Sequence, residues 1–304
     1  MTGQNLYLGR PGDVLFSIAP PAPGMDRTPS RFEGVHQMLA GGYSLDATPY
    51  ACRQWSMQWF WDTSVWQTLF ALYTRQYGPG PFAMLDPAQV NYLTANQACG
   101  TDARRDTRGF SVVGGNSEAI YSSAVVAKSG QRALRYSLPA SVTSGILTLV
   151  APSAMFGWCT PATYNWTFTV QGRTGTSGDT AVDVAVALQW LDKTGTQLSE
   201  SVSANTTLGS GAWSQITISA SAPANAVYVV PRIKVSAASV SSAADLFFDE
   251  LQLQPMNALS AWEPGQGQPI VSIVDLKEVV VRAASLALLN RNITMDLTQV
   301  GGMT

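Results

Sequence analysis

The chain has 304 residues, a length that suits about two domains. Hydrophobic residues make up 46%, enough to build real cores and to exclude wholesale disorder. Charged residues make up only 12%, against about 25% in ordinary soluble proteins, and the net charge of −2 gives no electrostatic support to sequence-independent nucleic-acid binding.

The polarity that charge does not supply comes from Ser, Thr, Gln, Asn and Gly, much of it in alternating patterns. Such a surface suits packing against other protein surfaces, because few ions need desolvating. The opening MTGQNLYLGRPGD lacks the charged-then-apolar organisation of a secretory signal. A chain without an export signal can still act outside a cell if it leaves as part of a particle. No run of 18 apolar residues occurs, so no membrane span is expected. Cys52, Cys99 and Cys159 form no CxxC, so neither a zinc site nor a disulfide framework follows.

Two short apolar pieces, Leu6–Leu8 and Val14–Ile18, come first. The Pro-rich segment Ala19–Ser30 then reads as irregular, since proline cannot donate to a ladder. In 53–61, Trp55, Met57, Trp59 and Trp61 share one face and Gln54, Ser56 and Gln58 the other, which predicts a half-buried strand with its tryptophans in a core or subunit interface. Ser64 and Gln67 form an S-x-x-Q capping box, and Val65, Trp66, Leu69, Phe70, Leu72, Tyr73 and Tyr77 give the following helix a broad apolar face. Gly78-Pro79-Gly80-Pro81 stops that helix. A short strand, Phe82–Leu85, and a turn at Asp86-Pro87 complete a strand–helix–strand unit.

From about Asn96 the character changes to Ala, Ser, Thr and Val, with strand signals separated by turns. Arg104, Arg105 and Arg108, interleaved with Asp102 and Asp106, read as a solvated loop rather than a phosphate site. Strands are predicted at Leu134–Leu138, 146–150, 163–170, 182–190, 215–220, 226–235 and Leu246–Leu253, with a turn at Asp192–Gly195. Many short strands joined by Gly/Ser/Asn turns argue for a sandwich of jelly-roll type. Residues 263–269 read as a linker into Ile270–Val274, a mixed stretch around Lys277–Leu289 and a closing strand at Asn292–Leu297. Forty residues are too few for a separate domain, so this tail is expected to pair with the N-terminal sheet. The expected fold is therefore mainly β: one discontinuous domain with one helix (residues 1–97 and 264–304), carrying an inserted jelly-roll β-sandwich at 98–263.

The block Gly80-Pro81-Phe82-Ala83-Met84-Leu85-Asp86-Pro87, followed by Asn91-Tyr92-Leu93-Thr94-Ala95-Asn96-Gln97, resembles the distal tail and minor tail proteins of actinobacterial siphophages. Ser129-Gly130-Gln131-Arg132-Ala133-Leu134, Phe247-Phe248-Asp249-Glu250-Leu251-Gln252-Leu253 and Trp262-Glu263-Pro264-Gly265 are similar to strands and the exit passage of carbohydrate-binding-module-like jelly rolls of the family 4/9 type. The resemblance implies a virion protein of the phage tail tip, whose discontinuous domain (1–97 and 264–304) would be a tail-tube or belt-like β-sandwich carrying the one helix. It would be a homo-oligomeric ring, commonly a hexamer, joining the tail tube protein to tail hub or tip proteins, with an outer domain able to bind host-surface glycan. The jelly-roll middle domain departs from the best-known rings, so another minor tail protein, or a glycan-binding adhesion protein without a ring role, stands as the alternative.

Enzyme chemistry has little to work with. His36 is the only histidine, no G-x-S-x-G elbow, P-loop or G-x-G-x-x-G occurs, and His36 reads as structural or surface. A polysaccharide hydrolase needs two carboxylates across a sugar bond, but Asp249 and Glu250 are adjacent in a strand and would point to opposite faces. No cofactor is expected beyond the structural calcium that similar jelly rolls imply for Asp249. Sugar rings pack their apolar faces on aromatic rings. Tyr164, Trp166 and Trp190 alternate with polar neighbours and read first as core, whereas Trp158, in the loop Phe156-Gly157-Trp158-Cys159, reads as an exposed platform. Trp158, Tyr164 and Trp190 are the candidate glycan-contacting residues.

Overall fold

The computed structural model describes residues 5–22, 25–30, 33–37, 43–47, 52–60, 62–99, 107–113, 119–139, 144–151, 155–175, 182–236, 244–255, 260–283 and 289–301. Those residues are mainly β, with two helices among them. The chain forms two compact units. One takes Met1–Arg10, Phe16–Met84 and Pro269–Met303; the other takes Pro11–Leu15 and Leu85–Gln268. Trp61 and the basic cluster at 102–106 lie outside the described residues, as does the side chain of His36.

In the first unit, β1 (Leu6–Gly9) and β2 (Phe16–Ile18) pair antiparallel. β3 (Met25–Ser30) follows, then a hairpin of β4 (Glu33–Gln37) and β5 (Tyr43–Ala47), then β6 (Cys52–Phe60). β3 corrects the expectation that Ala19–Ser30 is wholly irregular. It pairs with β6 at the margin of the sheet, where Pro29 can sit because no ladder partner needs its missing N–H. On β6, Trp55, Met57 and Trp59 are buried, and the Trp59 indole donates to the Ala19 carbonyl at 2.8 Å.

Helix α1 (Ser64–Tyr73) buries Val65, Leu69 and Leu72 into the same core. Its start is not held by the Ser64/Gln67 box. Asp62 does that work, its carboxylate accepting from the backbone N–H groups of Ser64 and Val65 at 2.9 and 3.1 Å, where a negative group also meets the helix dipole favourably. Gly78, with φ +94°, ends the following turn, and β7 (Phe82–Leu85) begins after Pro81.

The second unit opens with the short α2 (Ala95–Ala98), whose N-cap is a true capping box of Thr94 and Gln97. Its strands are β8 (Phe110–Val113), β9 (Ala119–Ser123), β10 (Ala133–Leu138), β11 (Ser144–Leu149), β12 (Trp158–Cys159), β13 (Asn165–Thr174), β14 (Val182–Leu191), β15 (Gln197–Val202), β16 (Thr206–Leu208), β17 (Ser214–Ser221), β18 (Tyr228–Ser236) and β19 (Ala244–Gln254). They form a five-stranded sheet, β17-β13-β19-β10-β9, and a seven-stranded sheet, β15-β14-β18-β11-β8 with β12 on β18 and β16 on β14. All pairings with a described register are antiparallel. Trp166, Phe168 and Val170 of β13 are buried, as are Val184, Val186 and Leu188 of β14. This is a β-sandwich of jelly-roll type.

Two long strands complete the first unit. β20 (Ile270–Ala283) and β21 (Leu289–Gly301) pair with each other; β20 also meets β7, and β21 pairs with β6 along Asn292–Thr298. The sheet order is β2-β1-β7-β20-β21-β6-β3, so the last stretch of chain lies at the centre of a sheet begun by the first. The mixed stretch expected around Lys277 is one continuous strand kinked by irregular registers at Ile273/Asp275 and Val280/Arg282.

Candidate functional site

The sandwich begins at Leu85 and ends at Gln268, wider than the boundaries at 97/98 and 263/264 that the sequence suggested. A network of buried side-chain amides explains the difference. Asn91 is fully buried and makes four hydrogen bonds. Its Nδ2 donates to the carbonyls of Leu251 and Glu263 at 3.0 and 2.9 Å, and its Oδ1 accepts from Leu93 and Leu253 at 3.1 and 3.2 Å. Gln89 donates to the Gly267 carbonyl at 2.6 Å, and Gln268 both accepts from and donates to the Cys159 backbone at 2.7 and 3.0 Å. Residues 263–268 are therefore not a free linker. Gly265 lies so close to the Leu93 and Thr94 carbonyls that a β carbon there would sit 2.4 and 2.3 Å from them.

This clamp fixes β19 and the segment through Trp262, and with them one face of the five-stranded sheet. On β13, Thr167, Thr169 and Gln171 alternate with the core residues Trp166, Phe168 and Val170 and so point outward. They stand opposite Ser219, Thr217 and Gln215 of β17. The rungs are hydrogen-bonded: Thr167 with Ser219 at 2.7 Å, Thr169 with Thr217 at 3.2 Å, and Gln171 Nε2 to Gln215 Oε1 at 3.4 Å. On β19, Gln252 donates to Gln254 and Ser260 at 2.6 and 3.0 Å and accepts from the Glu263 N–H at 3.0 Å.

Thr169, Gln171, Gln215, Glu250, Gln252 and Trp262 line a groove of about 230 Å³ on this face. Farther along it, the Arg173 guanidinium lies 5.9 Å from the Trp213 ring, and Arg135 stands 5.9 Å from the Tyr121 ring while pairing with Asp245 at 2.6 Å. Burial pushes against ionisation of Asp245, but hydrogen bonds from Arg135 and Ser137 outweigh it and hold its carboxyl below the usual range. The groove lining thus consists mainly of hydroxyl and amide groups that both donate and accept, with one carboxylate, Glu250, and one half-buried aromatic ring, Trp262. A second cavity in this unit, of about 360 Å³, is lined mainly by aliphatic groups including Val14, Leu15, Pro161 and Val227.

The residues named from sequence lie elsewhere. Trp158 is fully buried, and its indole donates to the Tyr92 carbonyl at 2.7 Å. Its ring faces are committed to the core, which corrects the expectation of an exposed platform. The loop it was placed in is β12, paired with β18. Trp190 is likewise buried, donating to Ser201 at 3.1 Å. Tyr164 is half-buried, edge-on to Trp166 at 6.2 Å, and is not among the residues lining the groove.

Asp249 does not fit a calcium role. Its carboxylate accepts from the backbone N–H groups of Lys128, Ser129 and Glu250 at 2.8, 2.9 and 2.7 Å, so the oxygens a cation would need face donors. Burial pushes its pKa up against those hydrogen bonds and the neighbouring Glu250 adds to the rise, and no group of three His, Cys, Asp or Glu side chains able to hold a metal occurs among the described residues.

The lining residues were missed because they carry neither charge runs nor exposed-looking aromatics. A signal existed: the outward positions of β13 and β17 are Thr, Gln and Ser, where an ordinary solvated face would carry Lys and Glu.

Fold and face together define a mainly β chain whose jelly-roll-type sandwich presents an amide-rich groove. No protein-family model matches the sequence, and no curated protein matches it significantly. Among solved structures, the chain is similar to the C-terminal family 22 carbohydrate binding module of Clostridium thermocellum Xyn10B (13% identity, TM-score 0.41), with 57% of this chain and 95% of that one covered. It is also similar to a xylan-binding domain of carbohydrate-binding module family 22 (14% identity, TM-score 0.39), with 57% and 97% covered. A third is the Clostridium thermocellum endo-1,4-beta-D-xylanase 10B CBM22-1–GH10 modules complexed with xylohexaose (17% identity, TM-score 0.38). There 49% of this chain is covered, but only 26% of the other.

Proposed function

We propose that this protein is a non-enzymatic glycan-recognition component whose sandwich takes a sugar chain in the groove of its five-stranded sheet. The observation that carries this reading is the lining itself. Amide side chains at Gln171, Gln215 and Gln252 can each donate and accept, as sugar hydroxyls do, and Trp262 offers an aromatic surface beside them. Glu250 is the single carboxylate among the residues lining the groove, so the paired acids of a glycosidase are not assembled there. Screening the full chain on a glycan array, and repeating it with Trp262→Ala, tests the reading. Wild-type binding that falls at least about tenfold in the variant supports it. A chain that binds no glycan, or a variant that binds as well as wild type, overturns it.

The wider role belongs to the same proposal. The protein acts in the virion, at a phage tail tip, as a homo-oligomeric ring (a hexamer is the favoured count) between tail tube and hub or tip proteins, and the sandwich contacts host-surface glycan. Its support is the resemblance of the segment 80–97 and the low charge. The long hairpin β20–β21, whose Val274, Val279 and Val280 stay exposed in the single chain, adds to it. Light scattering and particle imaging test this part. Closed cyclic oligomers are expected, and a chain that stays monomeric at every concentration and is absent from tails refutes it.

A further inference from the structure

Of the described non-glycine residues, three have a positive φ: Arg75, Thr163 and Glu250. The first two lie outside regular elements. Glu250, at φ +48°, lies inside the eleven-residue strand β19. The cause is visible in the register. Gln171 pairs with Asp249 and Thr169 with Gln252, so β19 spends three steps where β13 spends two, and one extra residue is accommodated as a bulge. Such a bulge is normally built on glycine, because a β carbon disfavours the left-handed region. Here a glutamate occupies it.

Glu250 lines the groove beside Gln171, Gln215 and Gln252, while Asp249 is fully buried. The surroundings hold Glu250 in place. Asp249 accepts from its N–H at 2.7 Å and from the Lys128 and Ser129 N–H groups, and the Lys128 ammonium stands 2.9 Å from Glu250 Oε2. A buried carboxylate, a loop and a lysine are thus spent on keeping one strained side chain aimed into the groove. Strain held this firmly is characteristic of functional positions.

We propose that Glu250 sets the specificity of the groove, its carboxylate accepting hydrogen bonds from both hydroxyls of a vicinal diol of a neutral glycan. The proposal rests on the glycan-binding reading above. The neutral class follows from the charges: Lys128 offsets Glu250 and Arg135 offsets Asp245, so neither pair carries a net charge, and Arg173 is a single cation on this face, too little to draw an anionic polymer. A carboxylate that accepts from two adjacent hydroxyls discriminates against sugars lacking one of them, because one charge-assisted hydrogen bond of the pair would go unmade.

The test uses the full chain in titration calorimetry with mixed-linkage β-glucan, arabinoxylan, galactomannan and polygalacturonate, each before and after periodate oxidation, which cleaves vicinal diols. At least one neutral polymer is expected to bind, with little change between about 50 and about 500 mM salt. Oxidation should weaken that binding at least about tenfold, and Glu250→Gln should do the same, since a charged acceptor is replaced by a neutral one. Glu250→Gly should lose binding yet keep its Tm, or gain about 2–4 °C from relief of the backbone. Binding that survives both substitutions or the oxidation overturns the proposal while leaving the glycan reading intact. So does a preference for polygalacturonate that salt removes. A Tm falling with Glu250→Gly would make the residue structural and also overturn it. If none of the polymers binds wild type, the glycan reading itself fails.

Discussion

Replacing Asn91 by alanine is the sharpest test of how the sandwich is held. The side chain is fully buried and closes four hydrogen bonds of 2.9–3.2 Å, all to backbone groups of Leu93, Leu251, Leu253 and Glu263. Alanine leaves two N–H groups and two carbonyls in the interior. At about 1 kcal/mol for each lost bond, the expected loss is about 4 kcal/mol. For a unit of this size that corresponds to a fall in Tm of roughly 10 °C. Asn91→Asp should fall between, because it keeps the acceptor but faces two carbonyls without a donor. Urea denaturation followed by tryptophan fluorescence measures the loss at unchanged m-value, and glycan affinity should fall with it, since the same bonds fix β19 and the approach to Trp262. A loss below about 1 kcal/mol would refute the argument that these amides clamp the sandwich.

Three further outcomes are expected. Trp158→Ala should destabilise the sandwich by about 3–5 kcal/mol through a cavity and a lost indole hydrogen bond, read by denaturant midpoint. Gly265→Ala should be among the worst single substitutions, because its β carbon meets two backbone carbonyls that cannot retreat; soluble yield and near-UV dichroism would report it. The carboxyl of Asp245 is held below its ordinary value by Arg135 and Ser137, against desolvation. Its contribution is therefore present above the unfolded-state pKa and lost as pH falls through the lowered folded-state value. A Tm series from neutral to strongly acid pH should show that loss in wild type and a smaller one in Asp245→Asn.

How much of this was legible in the sequence varies by element. Alternation in 163–170 and 182–190 announced β13 and β14 because each strand turns one face to the core, a period-2 signal. Strands β15 and β16 carry mostly exposed or half-buried residues and gave no such signal. β3 was hidden by Pro29, which excludes a central strand but not a marginal one. The cap of α1 was misassigned because Asp62, two residues before Ser64, accepts from the Ser64 and Val65 N–H groups at the helix start. Trp158 looked exposed because flanking Gly157 suggested a loop, yet only glycine fits there: a β carbon would lie 2.8 Å from the Val229 carbonyl. The groove drew no attention in the sequence because its chemistry is carried by amides on three separated strands, which only the pairing of β13, β17 and β19 brings together.

The clasp between the two ends of the sandwich has a consequence for the chain's history. The Met84 N–H donates to the Pro269 carbonyl at 3.0 Å, and Gln266 and Gly267 donate back to Asn91 and Leu93. Points of departure and return that nearly touch make the module between them a cassette. It could be exchanged for another of different length or taste at little entropic penalty to the sheet that hosts it, so related chains can be expected to differ most between these two points.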